Sequence, residues 1–158
     1  MELIPGYDFP QEVRSLFTEY TRMLVELEPA FQAYLDIQHY EDEVRDVRVK
    51  YGLPYGRFYL ARIDGEIIGC IAMRRLNDKE CELKRLYVRP PWRRQGIAAR
   101  LVERILSDAR SVGYERILLD TLPGLTVAIS MYRGMGFQDI PRYNDSPLDD
   151  TVYLGLDL

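Results

Sequence analysis

The segment from Leu83 to Arg100, LKRLYVRPPWRRQGIAAR, holds residues suited to binding an anion. A predicted strand leads into a short loop with arginines and Gly96, and this loop opens an amphipathic helix. The first N–H groups of a helix lack intrahelical acceptors and lie at the positive end of the macrodipole, while a glycine lets the backbone approach a phosphate closely. The segment therefore predicts a phosphate-binding loop. A solvated, arginine-rich helix start is the alternative.

Charge is distributed unevenly along the chain. The formal net charge is −4, yet residues 84–104 hold seven Lys or Arg residues and a single acid, Glu103. A basic segment in an acidic chain indicates one polyanionic ligand at one place. Nucleic acid is not expected as a partner, because the basic residues are too few and too localised to follow a phosphate backbone.

Two motifs resemble the signatures of the GCN5-related N-acetyltransferases, the GNAT family. Residues 93–98, Arg-Arg-Gln-Gly-Ile-Ala, fit the pattern Arg/Gln-x-x-Gly-x-Gly/Ala and follow a Leu-Tyr-Val strand. Residues 128–137 are similar to Ala-x-x-x-Tyr-x-x-x-Gly-Phe. The resemblance covers roughly residues 57–140. It implies one GNAT domain over residues 1–158, with six to seven strands and about four helices.

This resemblance implies acetyl-CoA as cosubstrate. Backbone N–H groups of residues 94–98 would hold its pyrophosphate, and the Arg94 side chain could reach the 3′-phosphate. The strand edge at residues 86–88 would pair with the pantetheine arm, and a free N–H where this strand leaves its neighbour would bind the thioester carbonyl. The residues predicted to bind acetyl-CoA are Leu86, Tyr87, Val88, Arg93, Arg94, Gln95, Gly96, Ile97, Ala98 and Ala99.

Tyr132 and Glu82 are the predicted catalytic residues. Tyr132 matches the motif tyrosine, and a phenol can protonate the departing thiolate because the two reference pKa values differ by only about 1.5 units. Glu82 matches a strand glutamate that many relatives use as a base, directly or through water. If side chains alternate strictly along this strand, Glu82 lies on the same face as Leu86 and Val88, whereas a bulge would shift the alternation. The alternative for Tyr132 is a residue that only packs, and the alternative for Glu82 is an exposed strand carboxylate.

The acceptor is predicted to be a primary amine of a small molecule or an amino acid. The two early helices and the loop with Tyr143 and Asn144 are expected to narrow the groove. Two other functions remain open: a peptide acetyltransferase and a non-catalytic acyl-CoA-binding module. A homodimer also remains open, and so does the identity of the base, for which His39 and a water chain are the alternatives to Glu82. Leu125 stands where many relatives carry an Asn that bonds the coenzyme. Trp92 is expected to pack beneath the loop.

Hydrophobic periodicity places these residues on strands and helices joined by both hairpin and crossover connections, which predicts an α+β fold with a mixed, largely antiparallel sheet. Helix one is predicted to start with Asp8 and Gln11 as a cap and to reach Leu27, and one further helix follows the spacing of Ile37, Val44, Val47 and Tyr51. Later helices end near Gly113 and at Met135. The predicted strands are residues 1–4, 57–63, 66–75, 81–88, 115–120, 137–140 and 151–156.

Composition bounds the cellular context. The sequence shows neither a secretory signal nor a membrane span, so a cytoplasmic protein without membrane partners is expected. Cys70 and Cys81 are expected to be reduced core thiols rather than a disulfide. One histidine and two cysteines supply too few ligands for a zinc site, and no metal is expected.

Overall fold

The computed structural model describes residues 1–37 and 39–158, which form one seven-stranded sheet with helices on both faces. In chain order the elements are β1 Glu2–Pro5, α1 Pro10–Leu27, α2 Phe31–Ile37, α3 Tyr40–Arg45, α4 Arg48–Tyr51, β2 Arg57–Ile63, β3 Glu66–Arg75, β4 Glu80–Val88, a 3-10 turn Pro90–Trp92, α5 Ile97–Val112, β5 Arg116–Thr121, α6 Thr126–Gly134, β6 Gln138–Asp139 and β7 Val152–Asp157.

The sheet is mixed and largely antiparallel, as predicted. Its strand order is β1-β2-β3-β4-β5-β7-β6, and β4 with β5 is the parallel pair. The β2–β3 hairpin turns at Asp64-Gly65, where both residues have positive φ (49° and 81°). Two left-handed residues in a two-residue loop match the twist of the flanking strands, which explains why Asp-Gly predicts this turn.

Alternating residues of the strands build two separate cores. In β2, Tyr59 and Ala61 pack on the side of α5, whereas Phe58 and Leu60 pack on the side of α1. A third cluster joins the C-terminal part of α1, α2 and the loop before β7, with Leu24, Phe31 and Leu148 among its members. The sheet is therefore covered on both faces, and the third cluster includes Leu122, the residue directly after the central strand β5.

The prediction of one helix through Ile37 and Tyr51 is wrong. The described residues of this region form three short helices, α2, α3 and α4. His39 adopts a left-handed conformation (φ 55°) before α3, and Asp46 is extended after it. These breaks let Glu43 and Tyr51 both turn inward, where the Tyr51 hydroxyl donates a hydrogen bond to the Glu43 carboxylate. Buried polar contacts override the helical spacing here.

Elsewhere the helix boundaries match the predicted ones, but the predicted capping residues at the start of α1 do not. α1 begins at Pro10 and ends at Leu27, but its cap position is Phe9 and no side chain caps it. Asp8 instead accepts a hydrogen bond from Arg48 at 2.7 Å, so the predicted Asp8–Gln11 cap is wrong. Gly113 ends α5 in the left-handed region (φ 103°), as predicted, because a glycine adopts this conformation without Cβ strain.

Candidate active site

A bulge in β4 sets the direction of its side chains. Lys84 lies opposite Ala72 and Tyr87 opposite Cys70, so two residues of β4 face the single residue Ile71 of β3. Arg85, at the bulge, has a φ of 60°. The bulge shifts the alternation by one residue, since Leu83 and Val88 pack in the same core cluster although five positions separate them. The strict-alternation expectation that Glu82 shares a face with Val88 is therefore wrong.

Strands β4 and β5 separate at the centre of the sheet. Their parallel pairing runs from Glu80–Arg116 to Glu82–Leu118, after which the described part of β4 pairs only with β3 and that of β5 only with β7. A cavity of about 640 Å³ opens between the separated halves. Its walls include both strand ends, the start of α5, α6 and the third hydrophobic cluster. A strand edge thus lies open toward the cavity, as an added extended chain requires.

The loop before α5 has the geometry of an anion site. Arg94 (φ 61°) and Gly96 (φ 77°) are both left-handed, and no side chain caps the first turn of α5. A Cβ placed on Gly96 would meet nothing within 4 Å, so the space above the helix start is open. The uncapped N–H groups and the helix dipole are both directed toward this space, which suits a phosphate group.

The structure brings most of the predicted coenzyme-binding residues together. Gln95 does not line the cavity, and its side-chain amide donates a hydrogen bond to the Pro91 carbonyl at 3.4 Å. Trp92 lines the cavity and packs on the α5-side core, as expected. The other nine predicted residues all line the cavity: Leu86, Tyr87, Val88, Arg93, Arg94, Gly96, Ile97, Ala98 and Ala99.

Arg93 has a role within the protein that its motif position did not reveal. Its Nε donates a hydrogen bond to the Val88 carbonyl at 2.8 Å, and its guanidinium lies 5.5 Å from the centre of the Tyr87 ring. These contacts fasten the loop to the end of β4. Arg93 therefore fixes the spacing between the loop and the strand edge.

Tyr132 lies on α6 and lines the cavity, with its ring packed against Phe137. The side chain is 5% exposed. Burial, followed by the nearby Tyr20 hydroxyl, raises the pKa of Tyr132 well above the usual value for a phenol. The hydroxyl therefore stays protonated at neutral pH and can act as a proton donor.

Glu82 is buried and is held by two donors. Arg74 Nε donates to its Oε1 at 2.7 Å, and the Tyr143 hydroxyl donates to its Oε2 at 2.5 Å. Glu82 is 1% exposed and is absent from the described lining of the cavity. The structure thus separates Glu82 from the other predicted site residues. A proton from the cavity can reach Glu82 only through another side chain or a water molecule.

A polar network at the far end of the cavity was not predicted. Asp120, at the end of β5, accepts hydrogen bonds from the Tyr34 hydroxyl at 2.5 Å and from the Asn144 amide at 2.8 Å. Lys84 Nζ lies 3.8 Å from the other Asp120 oxygen. Burial alone would raise the pKa of Asp120, but Lys84 and the two donors outweigh it and hold that pKa below its usual value. The sequence signal that could have identified Asp120 is its position directly after the apolar run Ile-Leu-Leu.

The histidine, Leu125 and the two cysteines considered in the sequence lie in different parts of the structure. His39 is exposed and is not part of the described cavity lining. Leu125 lines the cavity and precedes α6 without a side-chain cap. Cys70 and Cys81 are buried free thiols, as expected.

Residues 1–37 and 39–158 contain no cluster of three His, Cys, Asp or Glu side chains arranged to hold a metal ion. None of the helices in these ranges is both long and apolar enough to cross a membrane.

Sequence comparison relates the chain to known acetyltransferases. A sequence model of the Acetyltransferase (GNAT) family matches residues 13–137. An uncharacterised N-acetyltransferase of Schizosaccharomyces pombe is 32% identical over 157 residues, covering 98% of this chain and 94% of that protein.

Two solved structures show the same fold. An acetyltransferase from Streptococcus agalactiae has a TM-score of 0.80 at 24% identity, covering 99% of this chain and 98% of its own. A GNAT family acetyltransferase from Elizabethkingia anophelis, solved with acetyl-CoA bound, has a TM-score of 0.57 at 22% identity, covering 65% of this chain and 76% of its own. The chain therefore belongs to the GNAT family of acetyltransferases.

Proposed function

We propose that this acetyl-CoA-dependent N-acetyltransferase acetylates a primary amine of a small molecule or an amino acid by direct attack in a ternary complex. The observation that carries the proposal is the single cavity between the separated ends of β4 and β5. It joins the phosphate-binding loop at one end to the network around Asp120 at the other. Both substrates can therefore occupy one continuous space.

The residues at the loop end fit acetyl-CoA. The open space above Gly96 and the uncapped first turn of α5 suit the pyrophosphate, and exposed Arg94 suits a second phosphate. Among the described strand pairs, Leu86 of β4 is paired with no residue of β3 or β5. This edge suits the amide groups of the pantetheine arm, because an extended chain can add to an unpaired strand.

Bound acetyl-CoA supplies the thioester carbonyl that is attacked and the thiolate that leaves. The amine nitrogen forms a bond to the acetyl carbon as the C–S bond breaks. One proton leaves the nitrogen and one is taken up by sulfur, which gives an amide and a thiol. Tyr132, protonated and facing the cavity, is the proposed donor to sulfur. The burial that raises its pKa also disfavours a thiolate beside it, which keeps the transfer favourable.

Glu82 is the proposed final proton acceptor. Its carboxylate oxygens are held by Arg74 and Tyr143, and neither Glu82 nor Tyr143 is in the described cavity lining, so the proton would travel from the cavity through a bridging water, alone or together with the Tyr143 hydroxyl. Such a relay is consistent with general base catalysis, in which one water can separate base and substrate.

A small acceptor is supported by the way the cavity is closed at its far end. Tyr34 of α2 and Asn144 of the loop before β7 both bond to Asp120, and Asn144 also donates to the Tyr34 hydroxyl at 2.9 Å. These bonds tie a helix, a strand end and a loop together across the groove. An extended peptide would have to break them, whereas a small amine would not.

The test is acetyl-CoA-dependent release of free thiol against amino acids, polyamines, aminoglycosides and peptides with free N-termini. We expect turnover with small amines or amino acids and little with peptides. Equal or greater activity on the peptides would overturn the small-molecule assignment. A homodimer stays a prediction, which size-exclusion chromatography with light scattering would test.

A further inference from the structure

The far end of the cavity, which we call the acceptor end, has a largely apolar wall. Phe31 and Tyr34 stack with ring centres 5.5 Å apart and an interplanar angle of 11°. The residues of this wall belong to one buried cluster and all line the cavity: Leu24, Phe31, Tyr34, Leu122 and Leu148. Binding of an acceptor that fills this end is favourable, because it removes apolar surface from water. A charged or strongly polar substituent would lose hydration there.

One carboxylate oxygen in the acceptor end still has room for a donor. Both described hydrogen bonds to Asp120 go to Oδ2, while the Lys84 nitrogen is 3.8 Å from Oδ1, beyond hydrogen-bond distance. Among the described residues, no buried side-chain oxygen is both sealed from solvent and lacking a partner. Oδ1 is therefore reachable from the cavity that Asp120 lines, and it can accept a hydrogen bond from an N–H group.

The cations at this end already face acids of the protein. Lys84 lies beside Asp120, and Arg85 Nε donates to Glu43 at 2.7 Å with both side chains buried. A substrate carboxylate would have to compete with these buried acids, and it would also lie near Asp120 itself. A polyamine would bring several positive charges to a single carboxylate, whose charge Lys84 at 3.8 Å already offsets in part. The charge balance therefore favours a ligand with one amine and no acid.

We propose, on the basis of the acetyl transfer proposed above, that the acceptor is a primary monoamine with an aromatic or branched apolar group and no carboxylate. Its nitrogen lies at Asp120 Oδ1, and its apolar group lies against Phe31 and the leucines of the wall. Within the small-molecule class this assignment excludes free amino acids. Asp120 acts as a substrate-binding residue that orients the nitrogen toward the separated strands.

The test compares 2-phenylethylamine with L-phenylalanine, which adds a carboxylate to the same skeleton, and with ethylamine and spermidine. Thiol release is measured for each amine, and coenzyme A binding is measured separately by calorimetry. We expect kcat/KM for 2-phenylethylamine to exceed the other three by about tenfold or more. If L-phenylalanine or spermidine is used equally well or better, the acceptor class is wrong while acetyl transfer stands. If coenzyme A binds but none of these amines releases thiol, the acceptor class is rejected. If coenzyme A does not bind, the proposed function fails as well.

Variants at two positions probe the two halves of this site. Asp120→Asn should raise KM for 2-phenylethylamine about tenfold and leave the coenzyme A Kd within about twofold, since a neutral amide attracts an ammonium less. Asp149→Asn, an exposed change in the loop before β7, is the matched control and should alter neither constant. Phe31→Ala should reduce the preference for 2-phenylethylamine over ethylamine. An unchanged preference in Phe31→Ala, or an unchanged KM in a folded Asp120→Asn protein, would overturn the proposal.

Discussion

The Tyr143 hydroxyl donates a 2.5 Å hydrogen bond to Glu82, the strand glutamate that matches the family's base. Glu82 is buried behind this contact, and Arg74 holds its second oxygen. Burial and the adjacent Glu82 charge raise the pKa of Tyr143, so Tyr143 remains a proton donor to the carboxylate at neutral pH. A base role for Glu82 therefore depends on a relay that reaches this pair, and the pH profile of a Glu82 variant tests that role.

Replacing Glu82 by Gln should lower kcat/KM by about a hundredfold near neutral pH. The deficit should shrink as the pH rises toward about 10, because the acceptor amine then loses its proton without help. The measurement is the pH profile of thiol release for both proteins. Glu80→Gln, a partly exposed change on the same strand, is the control and should keep the original profile. A deficit that is the same at every pH would contradict the base role.

Replacing Tyr132 by Phe should lower kcat by about a hundredfold while the affinity for acetyl-CoA changes by less than about twofold. Only the hydroxyl is removed, so the ring still packs against Phe137 and the cavity keeps its shape. Steady-state kinetics and calorimetry measure the two effects separately. Tyr55→Phe, at a half-exposed position away from the cavity, provides the control. Full activity of Tyr132→Phe across the pH range would exclude this hydroxyl as the acid.

The two glycines that flank α5 provide a matched test of the phosphate-binding loop. Gly96 and Gly113 are both left-handed, and an added Cβ at either position meets nothing within 4 Å. Replacing either by Ala should cost about 1 kcal/mol of stability, because an L-residue is strained in this conformation. Only Gly96→Ala should also weaken coenzyme A binding, by about tenfold, because its methyl group occupies the space of the phosphate. Equal affinities of the two variants would argue against phosphate binding at this loop.

The buried pair of Glu43 and Arg85 stabilises the bulge in β4. Burial would raise the pKa of Glu43, but the Arg85 and Lys50 charges outweigh it and lower that pKa. This carboxylate therefore contributes stability above its unfolded pKa of about 4.3, and the contribution is lost as the pH falls below that value. Glu43→Gln should destabilise the protein by about 3–5 kcal/mol at neutral pH and should lose less stability on acidification than the parent protein.

Denaturant unfolding at neutral pH and near pH 3 measures both effects. The double variant Glu43→Gln with Arg85→Met is the control, since removing both charges should cost less than removing one. A single variant as stable as the parent protein, or a double variant less stable than the single one, would contradict the assignment.

Local patterns in the sequence predicted the parts of the site that depend on near neighbours. The Asp64-Gly65 turn, the strand leading to Val88 and the helix start at Gly96 each follow from a few consecutive residues, and each is confirmed. The resemblance to the GNAT family also identified nine residues that line one cavity. Turn geometry and helix ends are local properties, so a single sequence is enough to predict them.

The rest of the site depends on contacts between distant residues. The bulge at Arg85 is accompanied by a buried partner 42 positions earlier, Glu43, and the breaks on either side of α3 let that partner turn inward. Asp120 meets Tyr34 across 86 positions. No periodicity in the sequence encodes such pairings. For the same reason the burial of Glu82 behind Tyr143 could not be predicted from the alternation of β4.

A crystal structure of the protein with acetyl-CoA tests the central claim most directly. We predict pyrophosphate oxygens within about 3 Å of backbone nitrogens in residues 94–98, and a thioester between the separated ends of β4 and β5. A coenzyme bound elsewhere on the protein, or a pyrophosphate that makes no contact with the start of α5, would contradict the account.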